Sequence, residues 1–166
     1  MNRPTTRDDA HPPALQFLQR GELLKKLWDL MRDESSGGRH TLVHLKQGRT
    51  PRIFVADDDN HSDLSAALAR MVGKRDIVAA SLGCGQFAFL LRNCGADEAR
   101  TWVDALRHAL RARTLGITTE AGSPEPSIDI VVFQPRSQSL AALLAAAGMA
   151  RPSLNQGPGI REVAFG

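Results

Sequence analysis

Asp76-Ile77-Val78-Ala79-Ala80-Ser81-Leu82-Gly83-Cys84-Gly85-Gln86-Phe87-Ala88-Phe89-Leu90-Leu91 is the stretch whose reading decides the fold. Asp76 to Ser81 is an apolar, partly β-branched run and reads as a strand. Phe87 to Leu91 is a second run of the same kind. Between them, Leu82 to Gln86 holds two glycines one residue apart. Two apolar runs joined by a short glycine-bearing loop predict a β-hairpin.

Beyond the hairpin, Asn93 and Gly95 break the chain before an amphipathic helix. Ala99, Trp102, Val103, Leu106, Ala109 and Leu110 share one face of it, while Arg100, Asp104, Arg107 and Arg111 lie elsewhere. Thr114 to Ser127 reads as a loop, with a short strand at Gly116 to Thr119. Ser127 to Gln134 reads as a strand. Ser139 is placed to cap a last helix, Leu140 to Ala147, with Gly148 as its stop. The stripe Leu140, Leu143, Leu144 and Ala147 belongs in a core. Arg151 to Gly159 is loop-like, Gly157-Pro158-Gly159 being a tight turn, and Ile160 to Phe165 suits an edge strand.

Before the hairpin, Ser62 suits the N-cap of a helix carrying Leu64, Leu68, Met71 and Val72, which Gly73 would end. Arg52 to Ala56 and Thr41 to Lys46 are β-type runs. Leu15, Leu18, Leu24, Leu27, Trp28 and Met31 recur mostly at helical spacing, and Ser35-Ser36-Gly37-Gly38 closes that helix. Met1 to Pro13 is polar and expected to be a disordered leader. The expected organisation is a leader over 1–13, one domain over 14–150 and a tail over 151–166. Strands alternating with amphipathic helices imply an α/β sandwich, its central mixed sheet flanked by about four helices.

Composition narrows the function classes. The chain has 166 residues, enough for one domain with one core. Its net charge is +3 and its pI about 9.3, but the arginines are dispersed rather than run together. A nucleic-acid face would cluster them, so nucleic acid is not an expected partner. Two cysteines without a CxxC or a ligand-spaced Cys/His set argue against a disulfide framework and for a reducing compartment. The N-terminus lacks the apolar core of a signal peptide. No apolar stretch approaches the roughly 18 residues of a membrane span. A cytoplasmic location is the expectation.

Individual residues have bland and sharp readings. Asp57-Asp58-Asp59-Asn60-His61 suits a solvated turn that favours helix entry at Ser62. As the acidic pair of a receiver domain it would need a phosphorylatable Asp after a later strand, and none follows. His40, His44 and His61 match no ligand spacing and read as surface histidines. Cys84 sits at the hairpin tip as an inert thiol unless its pKa is lowered. Trp28 and Trp102 fall on apolar helix faces and read as core or partner contacts. No catalytic triad stands out.

Three segments carry a family resemblance. Asp76 to Leu91 resembles the signature hairpin of GGDEF (diguanylate cyclase) domains, with Gly83-Cys84-Gly85-Gln86-Phe87 in the place of the signature pentapeptide. Gly95 to Leu110 resembles the family helix with its acidic start, and Ser127 to Ala150 resembles the closing strand and Ala/Leu-rich helix. Together with the leading helix the resemblance covers about Leu15 to Ala150. It implies a domain whose active relatives join two GTP molecules with the help of Mg²⁺. The carboxylates that hold the metals are missing here. Gly85 and Gln86 replace the acidic residues of the signature, and Cys84 replaces its second glycine. The family's spacing puts the remaining metal carboxylates at His44 and Lys46, and Thr41 to Gln47 contains no acid at all.

The resemblance therefore implies a degenerate, non-enzymatic module of bacterial cyclic di-GMP signalling, with no catalytic residues, bound metal or cofactor. Its expected partner is a signalling or secretion protein: a phosphodiesterase, an active cyclase, or a biofilm or cellulose component. Two alternatives stay open. A nucleotide sensor would use Lys74, Arg75 and Asp76 beside the family's product site to hold cyclic di-GMP or GTP, although Gly73 stands where that site has Arg. An unrelated α/β enzyme is the other.

Overall fold

The computed structural model describes residues 17–33, 35, 37–46, 76–83, 86–114, 126–150 and 160–164. Strand β1 (Leu18–Gln19) leads into helix α1 (Arg20–Arg32). Strand β2 (His40–Lys46) follows, then the hairpin strands β3 (Ile77–Gly83) and β4 (Gln86–Leu91). Helix α2 (Ala96–Thr114), strand β5 (Ser127–Phe133), helix α3 (Leu140–Ala146) and strand β6 (Ile160–Ala164) complete the order. They form one six-stranded mixed sheet, β1-β3-β4-β2-β5-β6. The four inner strands are antiparallel to one another, and the two edge strands, β1 and β6, run parallel to β3 and β5.

The hairpin forms as its two apolar runs and glycine-bearing loop predict. Ile77 pairs with Leu91, Ala79 with Phe89 and Ser81 with Phe87, and a register irregularity follows between Ser81 and Gly83. Gly83 has φ of 83°, a left-handed conformation that glycine adopts without a Cβ penalty. Strand β2 lies between β4 and β5, so both of its edges are paired and both faces covered. That explains why HTLVHLK is buried almost throughout, polar residues included.

Each face of the sheet carries its own core. On one, Val43, Leu45, Phe87, Phe89, Leu91, Ile128 and Ile130 pack under α2 through Ala99, Trp102, Val103 and Leu106. The Phe89 and Trp102 rings meet at 5.1 Å, tilted by 59°. On the other, Leu42, Ala88, Leu90, Val131 and Phe133 pack under α1 and α3 through Leu23, Leu27, Leu30, Met31 and Leu143. The result is a three-layer α/β sandwich.

Helix ends follow from local chemistry. Gln19 and Glu22 form a capping box at the start of α1, the Gln19 N–H donating to Glu22 Oε2 at 2.8 Å. Ser139 Oγ accepts the Ala142 N–H at 3.1 Å, capping α3 as its sequence predicts. Gly148, with φ of 66°, closes α3: its N–H donates to Ala145 O, and the Met149 N–H reaches back to Leu144 O. At the sheet edge, Arg100 on α2 donates Nε and Nη2 to the two oxygens of Glu162 on β6, at 2.8 and 3.1 Å.

Several expectations need correction. The first helix begins at Arg20, not Leu15, because Leu18–Gln19 pairs with Ala80 and Ser81 instead of coiling. Its buried residues are Leu23, Leu27, Leu30 and Met31, so Trp28 lies off the apolar stripe and half exposed. Three of the expected helices are seen among the described residues. The helix at Ser62, the strand at Arg52, the strand at Gly116, the acidic cluster 57–61 and the expected leader 1–13 lie outside the described residues.

Candidate functional site

The face of the sheet under α1 and α3 is apolar along most of its length and turns polar toward the hairpin end. Alternation in β2 puts Leu42, His44 and Lys46 on this face. The register then fixes their neighbours. Lys46 stands opposite Gln86 on β4 and Ser127 on β5, while His44 stands opposite Ala88 and Asp129. Four polar side chains, His44, Lys46, Gln86 and Asp129, are thereby gathered from three strands.

They are joined in pairs. His44 is fully buried, and its Nδ1 lies 2.8 Å from Ala147 O, a carbonyl at the end of α3. Only an N–H satisfies a carbonyl, so Nδ1 carries the proton of the neutral ring. His44 Nε2 faces the Gln86 amide at 3.1 Å. With Nδ1 protonated, Nε2 is an acceptor, and the amide meets it by turning its NH₂ group inward, the two orientations having the same shape. Lys46 Nζ lies 3.6 Å from Asp129 Oδ2, with 15% and 6% of the two side chains exposed.

Burial dominates the His44 titration and pushes its pKa below the ordinary 6.5. The Lys46 ammonium adds to that shift, and the bond to Ala147 opposes it. His40, at the other end of β2, is also buried. It accepts the Asn93 N–H at Nδ1, at 3.2 Å, and its pKa is lowered by burial and then by Arg92. Both histidines were expected at the surface. The structure puts them inside because β2 is central, and position in a sheet is invisible in a spacing rule. His61 lies outside the described residues.

These shifts have a stability consequence. A histidine kept neutral in the fold binds fewer protons there than in the unfolded chain. Its contribution is complete above the unfolded value of 6.5 and is lost as pH falls below it toward the folded value. The midpoint of urea unfolding is expected to fall from about pH 7 to about pH 5, each group contributing at most about 1.4 kcal/mol per pH unit. His44→Leu should flatten that profile. A midpoint unchanged across the same interval would refute the buried neutral assignment.

The other sequence-selected residues are only partly gathered. Asp76 precedes β3, and its carboxylate pairs with Arg92 Nη1 at 3.1 Å, while the Arg92 N–H donates to Asp76 O at 3.2 Å. Arg92 was not singled out from the sequence. Its signal was its place across the hairpin, one step beyond the Ile77–Leu91 pair. Lys74, Arg75, Cys84 and Gly85 lie outside the described residues. Gly83 ends β3 and Phe87 packs in the core under α2, with the Phe17 ring 5.5 Å away. Trp102 is buried in that core as expected. Among the described residues no three His, Cys, Asp or Glu side chains converge as a metal would need. No described helix is long and apolar enough to cross a membrane.

No family model matches this sequence, and no curated protein matches it either. Solved structures do. The diguanylate cyclase SiaD from Pseudomonas aeruginosa, in complex with its activator SiaC, is 18% identical with a TM-score of 0.59, over 83% of this chain and 55% of that one. This chain thus spans little more than half of that protein. The coiled coil and GGDEF domain of DgcB from Caulobacter crescentus, in complex with c-di-GMP, is 14% identical with a TM-score of 0.62, over 81% and 74%. The FimX GGDEF domain from Pseudomonas aeruginosa is 13% identical with a TM-score of 0.61, over 91% and 97%. The chain has the fold of GGDEF domains.

Proposed function

We propose that this chain is a non-catalytic GGDEF-fold module of cyclic di-GMP-related bacterial signalling, and that it acts by binding another protein. One observation carries the reading: the polar end of the sheet is occupied by a histidine bonded through both ring nitrogens and by a Lys46–Asp129 ion pair. Condensing two GTP molecules needs divalent cations held by carboxylates, because the metals neutralise the charge that develops on the phosphates. Here His44 spends both ring nitrogens on Ala147 and Gln86. Lys46 brings a positive charge, and the one acid of the group, Asp129, already faces it. This donor set does not fit Mg²⁺, which prefers charged oxygen ligands, and no step is assigned to a metal.

The partner chemistry draws support from the fold likeness. SiaD was solved in complex with its activator and the coiled coil and GGDEF domain of DgcB with c-di-GMP, so proteins that contain this fold are found with both kinds of partner. Asp76 bears on the nucleotide alternative. Its carboxylate is held by Arg92, so a ligand there would have to compete for, or share, that guanidinium. Incubation with GTP and Mg²⁺ tests the reading: no cyclic di-GMP is expected, and its accumulation would overturn it.

A further inference from the structure

His44 is held at both ring nitrogens, and the two partners differ in kind. The Ala147 carbonyl, 2.8 Å from Nδ1, can only accept, so Nδ1 keeps its proton whatever the charge of the ring. The Gln86 amide, 3.1 Å from Nε2, carries a donor and an acceptor of nearly the same shape. A half turn about its last torsion, which is broad and two-fold, brings either one to the ring. A neutral His44 needs the NH₂ group there, and an imidazolium needs the oxygen. The pair therefore has two complete hydrogen-bond arrangements with one ring position and one backbone. Gln86 opens β4 and is only partly buried, whereas His44 is fully buried, so Gln86 is the side chain through which the ring meets the surface. Among the described residues no second bond holds the Gln86 amide in place.

We propose that His44 and Gln86 form a proton-sensing switch: a proton taken up at His44 Nε2 turns the Gln86 amide over, and the acceptor it presents at the hairpin end of the sheet becomes a donor. The charged groups around the ring set where the switch operates. Asp129 on β5, the ladder partner of His44, favours the imidazolium, and Lys46, two residues along β2, opposes it. Helix α3 brings no titratable side chain, being Leu and Ala throughout. On α1, Arg20 donates to Met149 O at 3.0 Å, two residues beyond Ala147. Burial is the largest influence and puts the change below the ordinary 6.5, so the neutral arrangement holds at neutral pH and the charged one forms as the solution turns acid. His40 lacks the device, because its Nδ1 accepts the backbone N–H of Asn93, which cannot turn round to meet a proton.

Nitrogen-15 NMR of the full chain tests it. Long-range correlations within the His44 ring show which nitrogen is protonated, and the Gln86 side-chain NH₂ resonances report the amide. The expected result is an Nδ1–H tautomer at about pH 8, protonation of Nε2 on acidification toward about pH 5, and a change in the Gln86 signals with the same midpoint. Gln86→Glu offers the ring an acceptor only, and should raise the His44 midpoint by about one pH unit or more. His44→Leu should leave the Gln86 signals independent of pH. An Nε2–H tautomer at high pH, Gln86 signals that stay fixed while His44 titrates, or a midpoint unmoved in Gln86→Glu would overturn the proposal. Unfolding of the parent chain before Nε2 takes up its proton would overturn it too. No nucleotide enters the measurement, so the switch and the non-catalytic reading stand or fall separately.

Discussion

Lys46→Met is expected to destabilise the domain by about 3–5 kcal/mol, the cost of breaking a buried ion pair by removing one member. Lys46 and Asp129 are nearly withdrawn from water, 3.6 Å apart, at the hairpin end of the sheet, where both edges of β2 are paired. Methionine keeps the apolar stem and removes the ammonium, so Asp129 keeps its burial and loses that cation. The double variant Lys46→Met/Asp129→Leu removes both charges and should return to within about 1 kcal/mol of the parent, or exceed it. Urea unfolding of the parent, the two single variants and the double closes the cycle. A cost for Lys46→Met below about 1 kcal/mol would show that the pair is solvated and that the polar end of the sheet is open to ligands.

Phe89→Ala should cost about 3–5 kcal/mol, a large share of the roughly 5–15 kcal/mol that holds a domain of this kind folded. Phe89 is 1% exposed, sits on an inner strand and meets the Trp102 ring at 5.1 Å. Truncation leaves a cavity between sheet and α2 that Ala79 and Ala99, already small, do nothing to fill. Trp28→Ala removes a larger ring but should change stability by no more than about 0.5 kcal/mol, because its site faces solvent. Thermal unfolding of the two variants checks the contrast. If Trp28→Ala were the more damaging, the layer assignment of α1 would be wrong.

The hairpin, α2, β5 and α3 were legible because their periods are clean. FAFLL and SIDIVVF are continuous apolar runs suited to inner strands, and Ala99, Trp102, Val103 and Leu106 repeat at helical spacing. The end of α3 was legible for a chemical reason: Ser139 and Gly148 are the residues a cap and a stop require. The start of α1 was not. Leu18 fits a helix by spacing, and only the pairing with Ala80 makes it a strand. Trp28 was misread because it falls four residues after Leu24, a residue that is itself only half buried.

The members of the polar cluster were legible singly and not as a construction. His44, Lys46 and Gln86 were picked out as replacements for carboxylates. That His44 would bind Gln86 and the end of α3 depends on β2 lying beside β4 and under Ala147, contacts that join residues 42 and 103 positions apart. Asp129 was read as part of a strand and nothing more, since its role comes from an ion pair with Lys46, diagonal to its ladder partner His44. Local patterning predicts which residues share a face; it does not say which faces meet.

The central claim is that this fold no longer condenses GTP, and the most direct measurement is chromatographic detection of cyclic di-GMP after the purified full chain has been incubated with GTP and either Mg²⁺ or Mn²⁺. The account predicts no product with either metal, at any pH between about 6 and 8, because the described residues at the polar end of the sheet carry no carboxylate pair to hold them. Product that scales with protein concentration would contradict it, and would mean that a metal site is assembled from residues other than His44, Lys46 and Gln86.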